Sequence, residues 1–182
     1  KAGRGLPAGK PVLDVAVLPD RFGEPVEAMP ADAFEARRLA VGEIGEIAVA
    51  GPQVLTGYLD GRGDDETKIR VGDRVWHRTG DAGWLDAGEG LWLVGRCTAK
   101  LGERYPLQIE ASLRLRFPER RTAALEVAGE VVLVAEGEAD PEFERAAREL
   151  GCSQVRSVDR LPMDRRHQSK IDYPELREMV GS

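Results

Sequence analysis

Cysteine is scarce: the 182 residues hold two, Cys97 and Cys152. A pair cannot be read as a disulfide framework, and their spacing matches no zinc motif. There are also only two histidines, His77 and His167. Neither has an evident acidic partner or metal spacing, so strand-end or loop positions suit them better than a general-base role. No apolar run approaches the roughly 20 residues of a membrane span, and no charged and apolar leader opens the chain. Positive charge is the minority, with 26 Lys and Arg against 32 Asp and Glu, for a net charge of −6. A chain of pI ≈ 5.1 is poorly suited to general nucleic-acid binding, which depends on neutralising phosphates. Together with 42% hydrophobic residues, this is the composition of a globular protein with the cytoplasm as its default setting. The length allows one medium domain or two small ones with real cores.

Among the residues that are present, Arg78-Thr79-Gly80-Asp81 through Gly95-Arg96 stand out. The pattern reads as a strand ending at Thr79-Gly80, then a hairpin with Trp84-Leu85 on one arm and Leu91 to Val94 on the other. Gly88 and Gly90 are expected to supply positive φ at its turn. Asp81 and Arg96 then fall at opposite ends of the hairpin. A carboxylate accepts hydrogen bonds from adjacent hydroxyls and a guanidinium grips phosphate or sugar oxygens, which points to a polyol or nucleotide site. Trp76, Trp84 and Trp92 fall at strand spacing and read as core or sheet-face residues. Cys97 reads as a small buried residue.

The fold class expected is mixed α/β (α+β): a small β-rich, barrel-like subdomain over residues 1–96, then a small α+β domain over 97–182. Strands are expected at Pro11 to Leu18, Glu43 to Ala50 and, as an extended piece, Gln53 to Leu59. Asp32 is expected to cap a short helix to Leu39, and Asp65 to Arg70 to form at most a short helix. This half resembles a small barrel or sandwich. In the second half, Leu107 to Phe117 reads as a helix stopped by Pro118, and Thr122 to Val127 with Glu130 to Ala135 as a hairpin around Ala128-Gly129. Asp140-Pro141-Glu142 starts a helix that Gly151 ends. Gln154 to Val158 is a strand, and Tyr173 to Val180 a closing helix.

Three blocks resemble the adenylate-forming superfamily of acyl-CoA synthetases, peptide-synthetase adenylation domains and luciferases. They are Gly42-Glu43-Ile44-Gly45-Glu46-Ile47 with Gly51-Pro52 and Gly57-Tyr58-Leu59, then Arg78 to Arg96, then Leu161-Pro162 through Ser169-Lys170-Ile171. Most members place two fewer residues between the Leu-Pro and the lysine, with glycine where Ser169 stands. In that variant form, and in Gly72 to Arg78, the chain is similar to bacterial olefin-pathway β-lactone synthetases and fatty-acid–AMP ligases. The resemblance implies an ATP-dependent, AMP-forming acyl ligase that activates a fatty or β-hydroxy acid as its adenylate, with Mg²⁺ on the phosphates. Closure to a β-lactone would follow; the alternative within the class is an acyl-CoA synthetase that uses CoA.

The same resemblance implies that Asp81 holds the ribose hydroxyls, that Arg96 contacts ribose or phosphate, and that Lys170 is the adenylation lysine, with no protein metal ligand. Lys170 lies in a locally basic run, five Arg or Lys against three Asp from Arg156 to Asp172. Thr98 occupies the hinge position, where Asp or Lys is usual, and Lys100 to Pro106 departs from the family pattern. Glu110 matches a family glutamate expected just before a helix, in a structural role. The family's phosphate loop does not appear. Residues 1–96 would then be the end of the large adenylation domain and 97–182 a mobile lid, lacking the N-terminal adenylation region. A different-class alternative is a catalytically inactive fragment or interaction module, and the isolated polypeptide is expected to be inactive.

Overall fold

The structure, a computed structural model, describes residues 3–164 and 171–181. Those residues form two compact units, one of Leu6–Thr98 and the other of the described residues of Lys1–Gly5 and Ala99–Ser182. The class is mixed α/β, with a curled antiparallel half-barrel in one unit and a small mixed sheet with helices in the other.

The first unit contains strands β1 (Leu6–Gly9), β2 (Asp14–Leu18), β3 (Gly45–Ala50), β4 (Lys68–Val71), β5 (Arg74–Leu85) and β6 (Leu91–Arg96), and two short helices, α1 (Ala31–Glu35) and α2 (Asp64–Thr67). The sheet order is β1-β6-β5-β3-β2, with β4 added on β5. The 12-residue β5 is its spine, because β3, β4 and β6 all pair with it. Alternation along β2, β3 and β5 turns Ala16, Leu18, Ala48, Ala50 and Trp76 inward onto Phe34, Ile69 and Val71. Trp76 meets Phe34 with ring centroids 4.8 Å apart.

Several expectations for this unit are corrected. No strand ends at Thr79-Gly80; β5 runs through, absorbing the irregularity as a bulge. Asp65 to Arg70 does hold the short helix expected at most, but it ends at Thr67, and Lys68 onward pairs with β5. The acidic run that favours a helix start is outcompeted by the β-branched Ile69 and Val71, which need the sheet face. Gln53 to Leu59 has no ladder partner and forms turns instead. α1 starts at Ala31 after Pro30, so Asp32 sits in the first turn rather than at the cap. β1, interrupted by Pro7, has no strand signal of its own and is recruited by the edge of β6.

The second unit holds α3 (Pro106–Arg116), β7 (Thr122–Val127), β8 (Glu130–Glu136), α4 (Pro141–Glu149), β9 (Gln154–Val158) and α5 (Tyr173–Gly181). β7 and β8 are antiparallel, and β8 and β9 are parallel through the α4 crossover. The Asp140 carboxylate accepts from the Phe143 N–H at 2.9 Å, as its capping position requires. One sheet face packs Leu133, Ala124 and Ala135 on Ile109, Leu113 and Phe143. The other packs Leu125, Val132 and Val134 on Leu161, Leu176 and Val180. No helix among the described residues is long and apolar enough to cross a membrane.

Candidate functional site

The bulge on β5 builds the site. Glu46 faces Ala82 and Ala48 faces Arg78, so the one intervening residue of β3, Ile47, stands against three of β5. The surplus falls at Thr79-Gly80-Asp81, where Gly80 has φ 69. Thr79 replaces the lost ladder bonds: its hydroxyl donates to the Ile47 carbonyl at 2.9 Å and accepts from the Asp81 N–H at 3.1 Å. Gly80 is required twice over, by its positive φ and because a Cβ would come within 2.8 Å of the Phe22 ring.

Asp81 and Arg96 are direct partners across β5 and β6. They pair across the open end of the hairpin, because its ladder runs on past Trp84 to Asp81 and past Val94 to Arg96. Arg96 Nη1 donates to Asp81 Oδ1 at 2.8 Å and to the Thr79 carbonyl at 3.2 Å. Both side chains are open to solvent, 59% for Arg96 and 38% for Asp81. The second Asp81 oxygen, Oδ2, has no partner among the described residues. The pair therefore presents an acceptor and a cation side by side, and an exposed ion pair of this kind is held by only ~1 kcal/mol. A ligand can exchange into it.

The turn itself is built otherwise than expected. Glu89, not Gly88 or Gly90, carries the positive φ, at 61. The Gly88 and Gly90 N–H groups both donate to Asp86 Oδ1 at 2.9 Å, and Asp86 Oδ2 accepts from the Trp92 indole at 2.9 Å. A Cβ on Gly90 would sit 3.0 Å from that carboxylate. Trp84 and Trp92 stack at 5.4 Å, which rigidifies the arms.

Three neighbours escaped the sequence reading. Phe22 lies against Gly80, beside Arg96, in a loop without periodic signal. Glu46 and Arg78 form a buried pair under the site, 1% and 2% exposed, joined at 2.6 Å. Their signal was available, since both alternate in phase with the apolar residues of β3 and β5. Burial raises the Glu46 carboxyl above its ordinary range, with Arg78 opposing. Burial, followed by the negative charges of Asp20, Glu46 and Asp81, pushes the Cys97 thiol far up. Cys97 is inert packing rather than a nucleophile. His77 Nδ1 lies 3.3 Å from Lys68 Nζ and 3.2 Å from the Thr67 carbonyl. Burial, then Lys68, lowers its pKa, and among the described residues it has no carboxylate partner.

Lys170 and His167 lie outside the described residues. The flanks of that run are described: Met163 bridges Ile171, and the Asp172 N–H donates to the Pro162 carbonyl at 2.9 Å. Glu110 is in the middle of α3, not ahead of a helix. Thr98 follows β6 in a single 3-10 turn, Cys97–Ala99. Among the described residues no group of three or more His, Cys, Asp or Glu side chains could hold a metal ion.

No protein-family model matches the chain. The olefin β-lactone synthetase of Stenotrophomonas maltophilia is 35% identical over 176 residues, covering 82% of this chain and 32% of the relative. That of Xanthomonas campestris pv. campestris is 33% identical over 168 residues, covering 77% and 30%. The chain belongs to the adenylate-forming superfamily. It spans about a third of the length of these relatives. The fold agrees: MatB from Rhodopseudomonas palustris, solved ATP-bound, superposes with TM-score 0.67 at 22% identity, over 94% of this chain and 35% of that one.

Proposed function

We propose that this chain supplies one wall and the lid of an ATP site in an AMP-forming acyl ligase that makes an acyl adenylate, with a β-hydroxy fatty acid as substrate and a β-lactone as product. The observation that supports it most directly is the in-register Asp81–Arg96 pair at the open end of β5 and β6, with Asp81 Oδ2 unpartnered among the described residues. A ribose diol donates to that oxygen, and Arg96 turns its remaining N–H groups to sugar or phosphate. Residues 1–96 act as the end of the large domain, Thr98 as the hinge, and 97–182 as the moving part that brings Lys170.

In the reaction, a substrate carboxylate oxygen bonds to the α-phosphorus while the bond to pyrophosphate breaks. Negative charge builds on the phosphoryl oxygens, and the Lys170 ammonium neutralises it as a compact point charge. Mg²⁺ is expected with the phosphates; the described residues offer it no ligand cluster. The setting is cytoplasmic.

The test is ATP–pyrophosphate exchange by the full gene product. Asp81→Ala and Arg96→Ala are each expected to raise KM for ATP about 10- to 100-fold, the weight of one or two charge-assisted hydrogen bonds. Unchanged KM in both variants would refute the site. Product analysis then separates the chemistries: a β-lactone formed without CoA supports the reading, and a thioester formed only with CoA replaces it with an acyl-CoA synthetase.

A further inference from the structure

A cavity of about 300 Å³ lies wholly within the half-barrel unit, and neither Asp81 nor Arg96 lines it. That volume is at the lower end of the range for small-molecule pockets. Its apolar lining comes from Val26, Met29, Phe34 and Ile69, and its buried polar lining from Glu46 and Arg78. The buried pair is bonded unevenly. Arg78 Nε and Nη2 both donate to Glu46 Oε2, at 2.9 and 2.6 Å, whereas Oε1 is buried with no hydrogen-bond partner among the described residues. Burial raises the Glu46 carboxyl; Arg78 and, last, the Gly80 N–H oppose it, and neither closes a hydrogen bond on Oε1. A buried acceptor is normally met, and the terminal torsion of a glutamate is broad, so a modest turn offers Oε1 to a donor in the cavity. The exposed part of the lining has the opposite sign. Arg21 and Arg37 stand there, and neither guanidinium has a carboxylate partner among the described residues.

We propose that this cavity binds a small aromatic carboxylate that carries a hydroxyl at its far end. The hydroxyl donates to Glu46 Oε1, the ring lies among the apolar side chains, and the carboxylate meets Arg21 and Arg37. Each part follows from a lining group. Phe34 and the Met29 thioether favour a ring over a flexible chain. The unmet acceptor selects a donor and rejects a second anion, which fixes the direction in which the ligand enters. Two guanidinia select a carboxylate, whose planar oxygens match their donors. The site is separate from the nucleotide reading and stands without it.

The probe is para-hydroxyphenylacetate, titrated into the full 182-residue chain and followed by calorimetry and by backbone amide NMR shifts. One-to-one binding with a dissociation constant below about 1 mM is expected, with the largest shifts at Val26, Met29, Phe34 and Ile69. Phenylacetate lacks the donor and para-cresol lacks the acid, and each is expected to bind about 10-fold more weakly. Tyramine, with an ammonium in place of the acid, is expected not to bind. Joint Arg21→Gln and Arg37→Gln, both surface changes, brings para-hydroxyphenylacetate down to the affinity of para-cresol and leaves para-cresol unaffected. No binding of para-hydroxyphenylacetate at about 10 mM overturns the proposal, as do tyramine binding equally well and shifts centred on Asp81 and Arg96. Equal affinities for phenylacetate and its hydroxylated form remove the Glu46 contact and with it the ligand class.

Discussion

A guanidinium sealed inside a small sheet has five N–H donors to satisfy, and Arg78 satisfies all of them. Nε and Nη2 donate to Glu46 Oε2 at 2.9 and 2.6 Å. Nη1 reaches the carbonyls of Glu24 at 2.6 Å and Glu66 at 3.0 Å, and Nη2 also donates to the Arg21 carbonyl. The charge pair is thus a staple for the loop that carries Phe22 against Gly80. Replacing Arg78 by lysine offers three donors from one point and abandons the planar fork. One ammonium cannot reach Glu46 and the carbonyls of Arg21, Glu24 and Glu66 together, so part of this set is left buried without a donor. Arg78→Lys is expected to cost about 3 kcal/mol in denaturant unfolding, the usual penalty for breaking a buried pair. A joint Glu46→Met, Arg78→Met exchange is expected to cost less than Arg78→Lys alone, since no charge is stranded. The joint variant still releases the loop, so it separates charge burial from loop anchoring.

At the scale of elements, the β7–β8 hairpin contains a visible compromise. Its two central residues, Ala128 and Gly129, both have positive φ, 51 and 81, the requirement of the turn that matches sheet twist. Glycine meets it without strain. Alanine does so at a cost of about 1–2 kcal/mol. Ala128→Asn is expected to raise stability by about 0.5–1 kcal/mol, and Gly129→Ala to lower it by at least as much, read as opposite shifts of the melting temperature. This hairpin was also among the most legible features of the sequence, because turn chemistry and β-branched arms agree there. α4 was legible for the same reason, with Asp140, Pro141 and Gly151 marking its two ends. Where local and tertiary demands diverge, legibility ended: Lys68 to Val71 follows an acidic helix start yet pairs with β5. The site shows the same division. Asp81 and Arg96 could be singled out by type and spacing, but their register depends on a bulge in the β5–β6 ladder, where Ala82 faces Gly95 and Gly83 faces Leu93. The Glu46–Arg78 pair hid because charged residues at strand positions read as a solvated face, although their phase matched the buried one.

Across the whole molecule, the features needed for nucleotide chemistry are unevenly represented. The half-barrel unit presents an acceptor and a cation side by side, Asp81 and Arg96, and buries the Glu46–Arg78 pair in the same sheet. The other unit carries the described flanks of the Lys170 run, joined by the Met163–Ile171 bridge and the Asp172–Pro162 bond. No glycine-rich phosphate loop occurs anywhere in the 182 residues, and phosphoryl transfer depends on gripping the β- and γ-phosphates as much as on the ribose. Holding one end of a triphosphate leaves its reacting phosphorus free to wander, which forfeits the large gain from orientation. The 182-residue polypeptide by itself is therefore expected to release no pyrophosphate from ATP and a fatty acid, in a continuous coupled assay that detects the full gene product readily. Weak, saturable ATP binding that Asp81→Ala abolishes is the residual behaviour expected of it. Steady turnover by this polypeptide would mean that the phosphate grip is built from residues within it, and the division of labour drawn from Asp81, Arg96 and Lys170 would have to be redrawn around them.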